Sequence, residues 1–311
     1  MAKKSNGISM ENILSQYGAE REVEFISTGV GALDELFGGG ICPGAMYAFW
    51  GEQGSGKSTL TFQILRKYCK SGMKCVFVDV EKALNVNQQE AFGLREYVNN
   101  GTLVHLTADN YEQLVEIARA VANDGSFNIF VCDSETQLLA KLPDDVSVTD
   151  NQPGQKARQA ATALTLIKSI FYDKNISSIF LFHARANIQM TMNPYAPATK
   201  QAGGYAAKHV PDVILHVSPG QKIKDGDAIL GQIVHMECDK NKFAPPFKRV
   251  DRKLFFGKGI TRKVEIVDMA IQVGLIQQSG SYFTFNGKTV RGTSALYDLP
   301  AEDLTWLRDN M

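Results

Sequence analysis

Short apolar runs alternate with stretches of helical spacing through the middle of the chain. Met46–Trp50, Cys75–Val80, Asn128–Cys132, Ser178–Phe182, Val213–Val217 and Ile233–Cys238 read as buried strands. Between them, Lys57–Ser71, Gln88–Tyr97, Tyr111–Asn123 and Gln155–Asp173 read as helices. Leu114, Ile117, Ala118 and Val121 fall on one face of the third helix, and Leu164, Ile167 and Phe171 on one face of the fourth. Strands separated by helices of this length predict βαβ units: an α/β fold with a mostly parallel twisted sheet flanked by helices.

Other segments break the rhythm. Residues 1–23 are polar apart from an amphipathic stretch at Met10–Tyr17, and read as an N-terminal arm or single helix for subunit contact. Lys141–Gly154 is rich in Asp, Pro and Asn, and Gln189–Gly204 carries Pro194, Pro197, Gly203 and Gly204. Both follow the C-terminal side of a strand, where open α/β sheets bind ligands, so a functional role is expected of them. Residues 24–256 read as one core. From about residue 257 the texture changes: a helix at Val264–Val273, a hairpin of Tyr282–Phe285 and Lys288–Val290 around Asn286-Gly287, and a last helix. Residues 257–311 are expected to form a small α+β domain.

Composition narrows the function classes. The 311 residues balance 33 Lys plus Arg against 33 Asp plus Glu, with 44% hydrophobic and 21% charged. That excludes a disordered or fibrous chain and a protein that holds polyanions by bulk charge. The balance averages over opposed patches: Lys240–Lys263 holds nine basic residues and one acidic, Lys141–Asn151 three acids and one base. The five cysteines form no C-x-x-C pair, the N-terminus lacks an apolar signal region, and no apolar run is long enough to span a bilayer. A reducing, cytoplasmic setting without membrane contact is expected.

Gly51-Glu52-Gln53-Gly54-Ser55-Gly56-Lys57-Ser58 fits the phosphate-loop pattern G-x-x-x-x-G-K-[ST], after a strand and before a helix that opens through Thr59. Such a loop turns backbone N–H groups toward phosphate oxygens at a helix N-terminus. Lys57 would contact the β- and γ-phosphates of ATP, and Ser58 would ligate Mg²⁺. Asp133 ends the apolar run from Asn128 and is placed to hold the metal's water shell. For the general base, Glu81 follows one strand and Glu135 another, and spacing alone leaves both open.

With these motifs the chain resembles the bacterial RecA recombinase family, phage-encoded members included. The resemblance runs from Ile26 to about Gly292. It rests on Ser27-Thr28-Gly29 with Ala32-Leu33-Asp34, on Phe77 to Leu84 and Asp133-Ser134, and on Gly203-Gly204. The most specific block is Lys240-Asn241-Lys242-Phe243-Ala244-Pro245-Pro246-Phe247-Lys248, followed by Gly257-Lys258-Gly259-Ile260. The resemblance implies a RecA-type ATPase core with an abbreviated C-terminal domain. The implied activity is a DNA-dependent ATPase and strand-exchange recombinase, a homo-oligomer that forms helical filaments on single-stranded DNA and captures homologous duplex DNA. The alternative is a related ATPase of the same fold, a hexameric helicase or non-recombining filament regulator.

By position, the resemblance makes Glu81 the catalytic glutamate and sends Lys240 and Lys242 to a neighbouring subunit's γ-phosphate. It makes His183 the counterpart of a glutamine that senses the γ-phosphate; a core or capping histidine is the alternative. The two irregular segments become DNA-binding loops, with Arg158, Arg185, Lys200, Gly203 and Gly204 at phosphates and Met192 and Tyr195 as candidate wedges between bases. Gln88 stands where the family stacks an aromatic on adenine, and His209 where it places an aromatic involved in subunit communication.

Overall fold

The computed structural model describes residues 24–139, 154–186, 199–202 and 204–311. The expected arm at 1–23, most of Lys141–Gly154, and Met192, Tyr195 and Gly203 lie outside the described residues, as do the side chains of Arg185 and Lys200. In chain order the elements are α1 (Gly31–Phe37), β1 (Met46–Gly51), α2 (Lys57–Lys70), β2 (Lys74–Asp79), α3 (Val86–Ala91), α4 (Arg95–Asn99), β3 (Leu103–Leu106), α5 (Tyr111–Asp124) and β4 (Phe127–Asp133). A 3₁₀ turn at Glu135–Gln137 follows. Then come α6 (Gln155–Asp173), β5 (Ser177–Ala186), β6 (Thr199–Gln201), α7 (Gly204–His209), β7 (Val213–Asp225), β8 (Ala228–Asn241) and β9 (Arg249–Phe255). The C-terminal region adds α8 (Arg262–Gln272), β10 (Gln277–Ser279), β11 (Tyr282–Phe285), β12 (Lys288–Arg291), α9 (Thr293–Tyr297) and α10 (Ala301–Asp309).

One nine-stranded sheet runs β3-β2-β4-β5-β1-β7-β8-β9, with β6 paired to β5 off that path. From β3 to β7 all pairings are parallel; β7-β8, β8-β9 and β5-β6 are antiparallel. Alternate side chains on the parallel strands enter two separate cores, which is why these runs are apolar throughout rather than alternating. On one face Tyr47, Phe49, Phe77, Val131, Leu181 and Leu215 pack against Leu60, Ile64, Leu65 and Tyr68 of α2 and Leu33, Leu36 and Phe37 of α1. On the other, Ala48, Val78, Phe130, Phe180 and Phe182 meet Leu114, Ala118 and Val121 of α5 and Leu164, Ile167 and Phe171 of α6. Each fully buried Leu, Ile or Phe contributes about 1.5–3 kcal/mol of transfer free energy, so both helix layers are fixed against the sheet.

The α/β architecture is as expected, with local differences. The expected helix Gln88–Tyr97 is two short helices, because Gly93 takes a left-handed φ of 63° and lets Leu94 turn fully into the core. The sequence reading did not identify α1, β3, α7 or β9. β9 carries a mixed pattern, Val250 and Leu254 inward among Arg249, Asp251 and Arg252, because only one face of this antiparallel part is packed. β7 and β8 likewise run past their apolar centres. The C-terminal hairpin forms around Asn286 and Gly287, both at positive φ, as the type I′ turn requires. The three-stranded sheet β10-β11-β12 and α8–α10 close over a core of their own, with Val267, Phe283, Phe285, Leu296 and Leu307.

Candidate functional site

The C-terminal ends of β1, β2, β4 and β5 open onto one cavity of about 260 Å³. It is lined by Gln53, Gly54, Gly56, Lys57, Ser58, Thr59, Glu81, Asp133, His183, Gln232, Leu254 and Phe256. Strand register brings this set together: Gly51 pairs with His183 across β1–β5, and Asp79, two residues before Glu81, pairs with Asp133 across β2–β4.

The loop from Gly51 to Gly56 wraps into α2. A Cβ at Gly51 would stand 1.9 Å from the Val217 carbonyl oxygen, so only glycine lets the loop leave β1 beside β7. Gly56 caps α2 at φ 103°, and a Cβ there would meet Leu254 at 2.9 Å. Gln232 braces the outer turn by donating to the Gly54 carbonyl at 2.7 Å. Lys57 is buried and curls over its own loop, donating to the carbonyls of Gly51 at 3.0 Å and Glu52 at 2.8 Å. Burial lowers its pKa from the usual range, against the opposing pull of Asp133 and Glu81.

Although β5 lies between β1 and β4, the first turn of α2 spans it: Ser58 Oγ donates to Asp133 Oδ2 at 2.6 Å. Burial pushes the Asp133 carboxyl up to about 6, with the Ser58 hydrogen bond working against the shift. A hydroxyl and a carboxylate, joined by substrate phosphates and water, is the oxygen donor set Mg²⁺ takes, and the ion's charge would favour the ionised carboxylate.

Glu81 and His183 meet at the cavity wall, Oε1 to Nε2 at 2.7 Å, each side chain about a quarter exposed. The His183 N–H donates to Thr136 Oγ1 at 3.0 Å, tying the end of β5 to the turn after Asp133. Asp79 is a contributor the sequence reading missed. Its carboxylate accepts from the N–H groups of Ala83 at 3.1 Å and Leu84 at 2.8 Å, and lies 3.3 Å from His105 Nε2. It thereby holds the turn that presents Glu81. Burial works to raise its pKa, but the His105 contact and the two N–H donors outweigh that and keep it below the usual carboxylate range. A carboxylate so held contributes stability above its unfolded pKa and loses it as pH falls through the folded one. Asp79→Ala should therefore destabilise the fold by about 1–3 kcal/mol near neutral pH, with the gap to wild type closing in acid, as read by denaturant melts across pH.

Glu135 lies elsewhere. It is fully buried, receives the Tyr111 hydroxyl at 2.9 Å, and lines a second cavity of about 240 Å³ with Thr136, Lys156, Ala157, Gly154 and Gly204. Gly154 and Gly204, the last residues of the two irregular segments in the sequence, both line this cavity. Arg158 is exposed in the first turn of α6, close by in sequence. Lys240 and Lys242 are not in the phosphate-loop cavity. Lys240 donates to the carbonyls of His209 at 2.9 Å and Pro211 at 2.6 Å, and Lys242 sits 2.8 Å from Asp212 Oδ1. Gln232, Leu254 and Phe256 were missed by the sequence reading because they reach the cavity from distant strands and the turn after β9. Phe256 is more than half exposed and also lines a neighbouring cleft of about 630 Å³ with Gln63, Arg66, Phe92 and Lys258.

Residues 4–261 match the model of the RecA N-terminal domain. The chain belongs to the RecA family. It is 32% identical to Protein RecA of Bordetella avium over 281 residues, covering 89% of this chain and 78% of that one. It is 33% identical to Protein RecA of Thioalkalivibrio sulfidiphilus over 273 residues, covering 88% and 78%. The crystal structure of the RadB recombinase superposes with a TM-score of 0.55 at 21% identity, over 76% of this chain and 99% of that one, a likeness of fold. RecA-family membership supports ATP-hydrolysing, nucleotide- and metal-dependent, DNA-binding and oligomeric behaviour in general terms. Among the described residues no helix is long and apolar enough to cross a membrane.

Proposed function

We propose that this RecA-family chain is a DNA-dependent ATPase and strand-exchange recombinase that forms helical filaments on single-stranded DNA and pairs it with homologous duplex. One observation carries the reading: a phosphate loop, a hydroxyl–carboxylate pair fit for Mg²⁺ and a Glu81–His183 pair converge on one cavity. The loop N–H groups from Gln53 to Thr59 and Lys57 would bind the triphosphate, and Ser58 and Asp133 would hold Mg²⁺, which would supply charge neutralisation at the phosphates. Glu81 takes the proton of the attacking water, and His183 stands where a γ-phosphate reports its presence to β5. Phe256 offers an aromatic face at the cavity mouth, the service that Gln88 cannot give to the base.

On this reading Lys240 and Lys242 act on a neighbouring subunit's phosphate, and Arg158, Arg185, Lys200, Gly203 and Gly204 face the DNA backbone, with Met192 and Tyr195 at the bases. Residues 24–256 form the core, 257–311 a small C-terminal domain and 1–23 an arm for subunit contact. With no bulk positive charge on the chain, DNA affinity comes from ordered loops and cooperative assembly, and falls with salt. The test is steady-state ATP hydrolysis with and without single-stranded DNA, followed by D-loop formation. Stimulated turnover with D-loops is expected; DNA-independent turnover without them would overturn the reading.

A further inference from the structure

The turn from His209 to Asp212, between α7 and β7, gathers three lysines: two on the Asp212 carboxylate and one on the turn's carbonyls. Asp212 is buried, and its Oδ2 accepts from the Met46 N–H at 3.1 Å. Its Oδ1 takes Lys168 of α6 at 2.6 Å and Lys242, the residue just after β8, at 2.8 Å. Lys168 also donates to the Val210 carbonyl at 2.7 Å, while Lys240 is held by the carbonyls of His209 and Pro211. The lysines differ in burial: the Lys168 side chain is 24% exposed and that of Lys242 is 54% exposed.

We propose that Asp212 is a positioning residue that parks Lys242 in the free subunit and so sets the ATP concentration at which subunits assemble. The inference rests on the reading that Lys242 reaches a neighbour's phosphate. Three observations point this way. Lys242 is the exposed partner of the shared oxygen, so water and salt already weaken its hold. Its departure leaves Asp212 with Lys168 and the Met46 N–H, so no buried charge is stranded. The competing anion carries more charge than a carboxylate half-compensated by Lys168, and the transfer to phosphate runs downhill once ATP is bound next door. Burial tends to raise the Asp212 pKa, but Lys168, Lys242 and the Met46 N–H together hold it below the usual range, so the carboxylate stays charged near neutrality.

The sign of the effect separates parking from a merely structural role. Filament formation by the full chain on single-stranded DNA with Mg²⁺ is followed by light scattering and electron microscopy against ATP concentration. Asp212→Asn removes the hold and should lower the half-assembly ATP concentration about threefold, the factor a half-exposed ion pair is worth. Lys168→Met leaves Asp212 wholly to Lys242 and should raise it by a similar factor. Damage to the fold alone would shift both variants toward higher ATP, and that result, or no shift in either, overturns the proposal. Lys242→Ala tests the underlying reading separately: it should raise the ATP requirement at least tenfold and make a further Asp212→Asn change silent. Wild-type assembly by Lys242→Ala would overturn the reading and the proposal together; a raised requirement with an inert Asp212→Asn would overturn the proposal alone.

Discussion

Glu81→Gln should cut ATP turnover by about 100- to 10,000-fold, the usual contribution of a positioned general base, while leaving nucleotide affinity nearly unchanged. The amide keeps the shape of the carboxylate and can still pair with His183 Nε2, 2.7 Å away in the wild type, so the cavity wall should not move. What it loses is the ability to accept the water's proton. The discriminating control is Glu135→Gln. Glu135 lines a different cavity and is engaged by Tyr111, so its loss should register in stability rather than in turnover. Phosphate release at saturating single-stranded DNA, beside equilibrium binding of a fluorescent ATP analogue, reads both quantities. Full turnover by Glu81→Gln, or collapse of turnover in a folded Glu135→Gln, would reassign the base.

Lys57→Met should weaken ATP binding by about 100- to 10,000-fold, since two charge-assisted contacts to phosphate are each worth about 1.5–3 kcal/mol. The second half of this expectation concerns the empty protein. Lys57 is buried, its ammonium donates to the loop's own carbonyls and to Ser55 Oγ, and burial depresses its pKa. A lysine with a lowered folded pKa takes stability away from the charged form, and the penalty grows as pH falls below its unfolded pKa. An uncharged side chain of similar volume should therefore leave the melting temperature of the nucleotide-free protein equal to or above that of wild type. The same variant should lose the thermal shift that ATP and Mg²⁺ produce. A melting temperature several degrees lower, with ATP binding intact, would contradict both halves at once.

The legible parts of the fold share a physical cause. β1, β2, β4 and β5 are buried on both faces, so their sequences are apolar throughout, and the helices between them bury one stripe each. β9 and the outer ends of β7 and β8 were not legible as strands because one face meets no core, so their polar residues read as loop. The break at Gly93 was hidden for another reason: the glycine's left-handed backbone is favoured only once Leu94 has a pocket to enter. Within the site, the loop Gly51–Ser58 was readable because its chemistry is local, a backbone cradle that needs consecutive residues. Asp79, Gln232 and Phe256 were not, since each acts on the site from another strand or turn.

By itself the sequence determined the class of fold, the glycine-rich Gly51–Ser58 pattern, the carboxylate at the end of β4 and the block that marks the RecA family. Each of these is carried by residues adjacent in the chain, where steric and hydrogen-bonding demands act over a few bonds. Only the tertiary structure decided which distant groups meet: Ser58 with Asp133 across an intervening strand, Glu81 with His183, and Lys168 with Lys242 on the single carboxylate of Asp212. Those pairings depend on strand order and register, which are set by packing the two apolar cores against the sheet, and no short stretch of sequence specifies them.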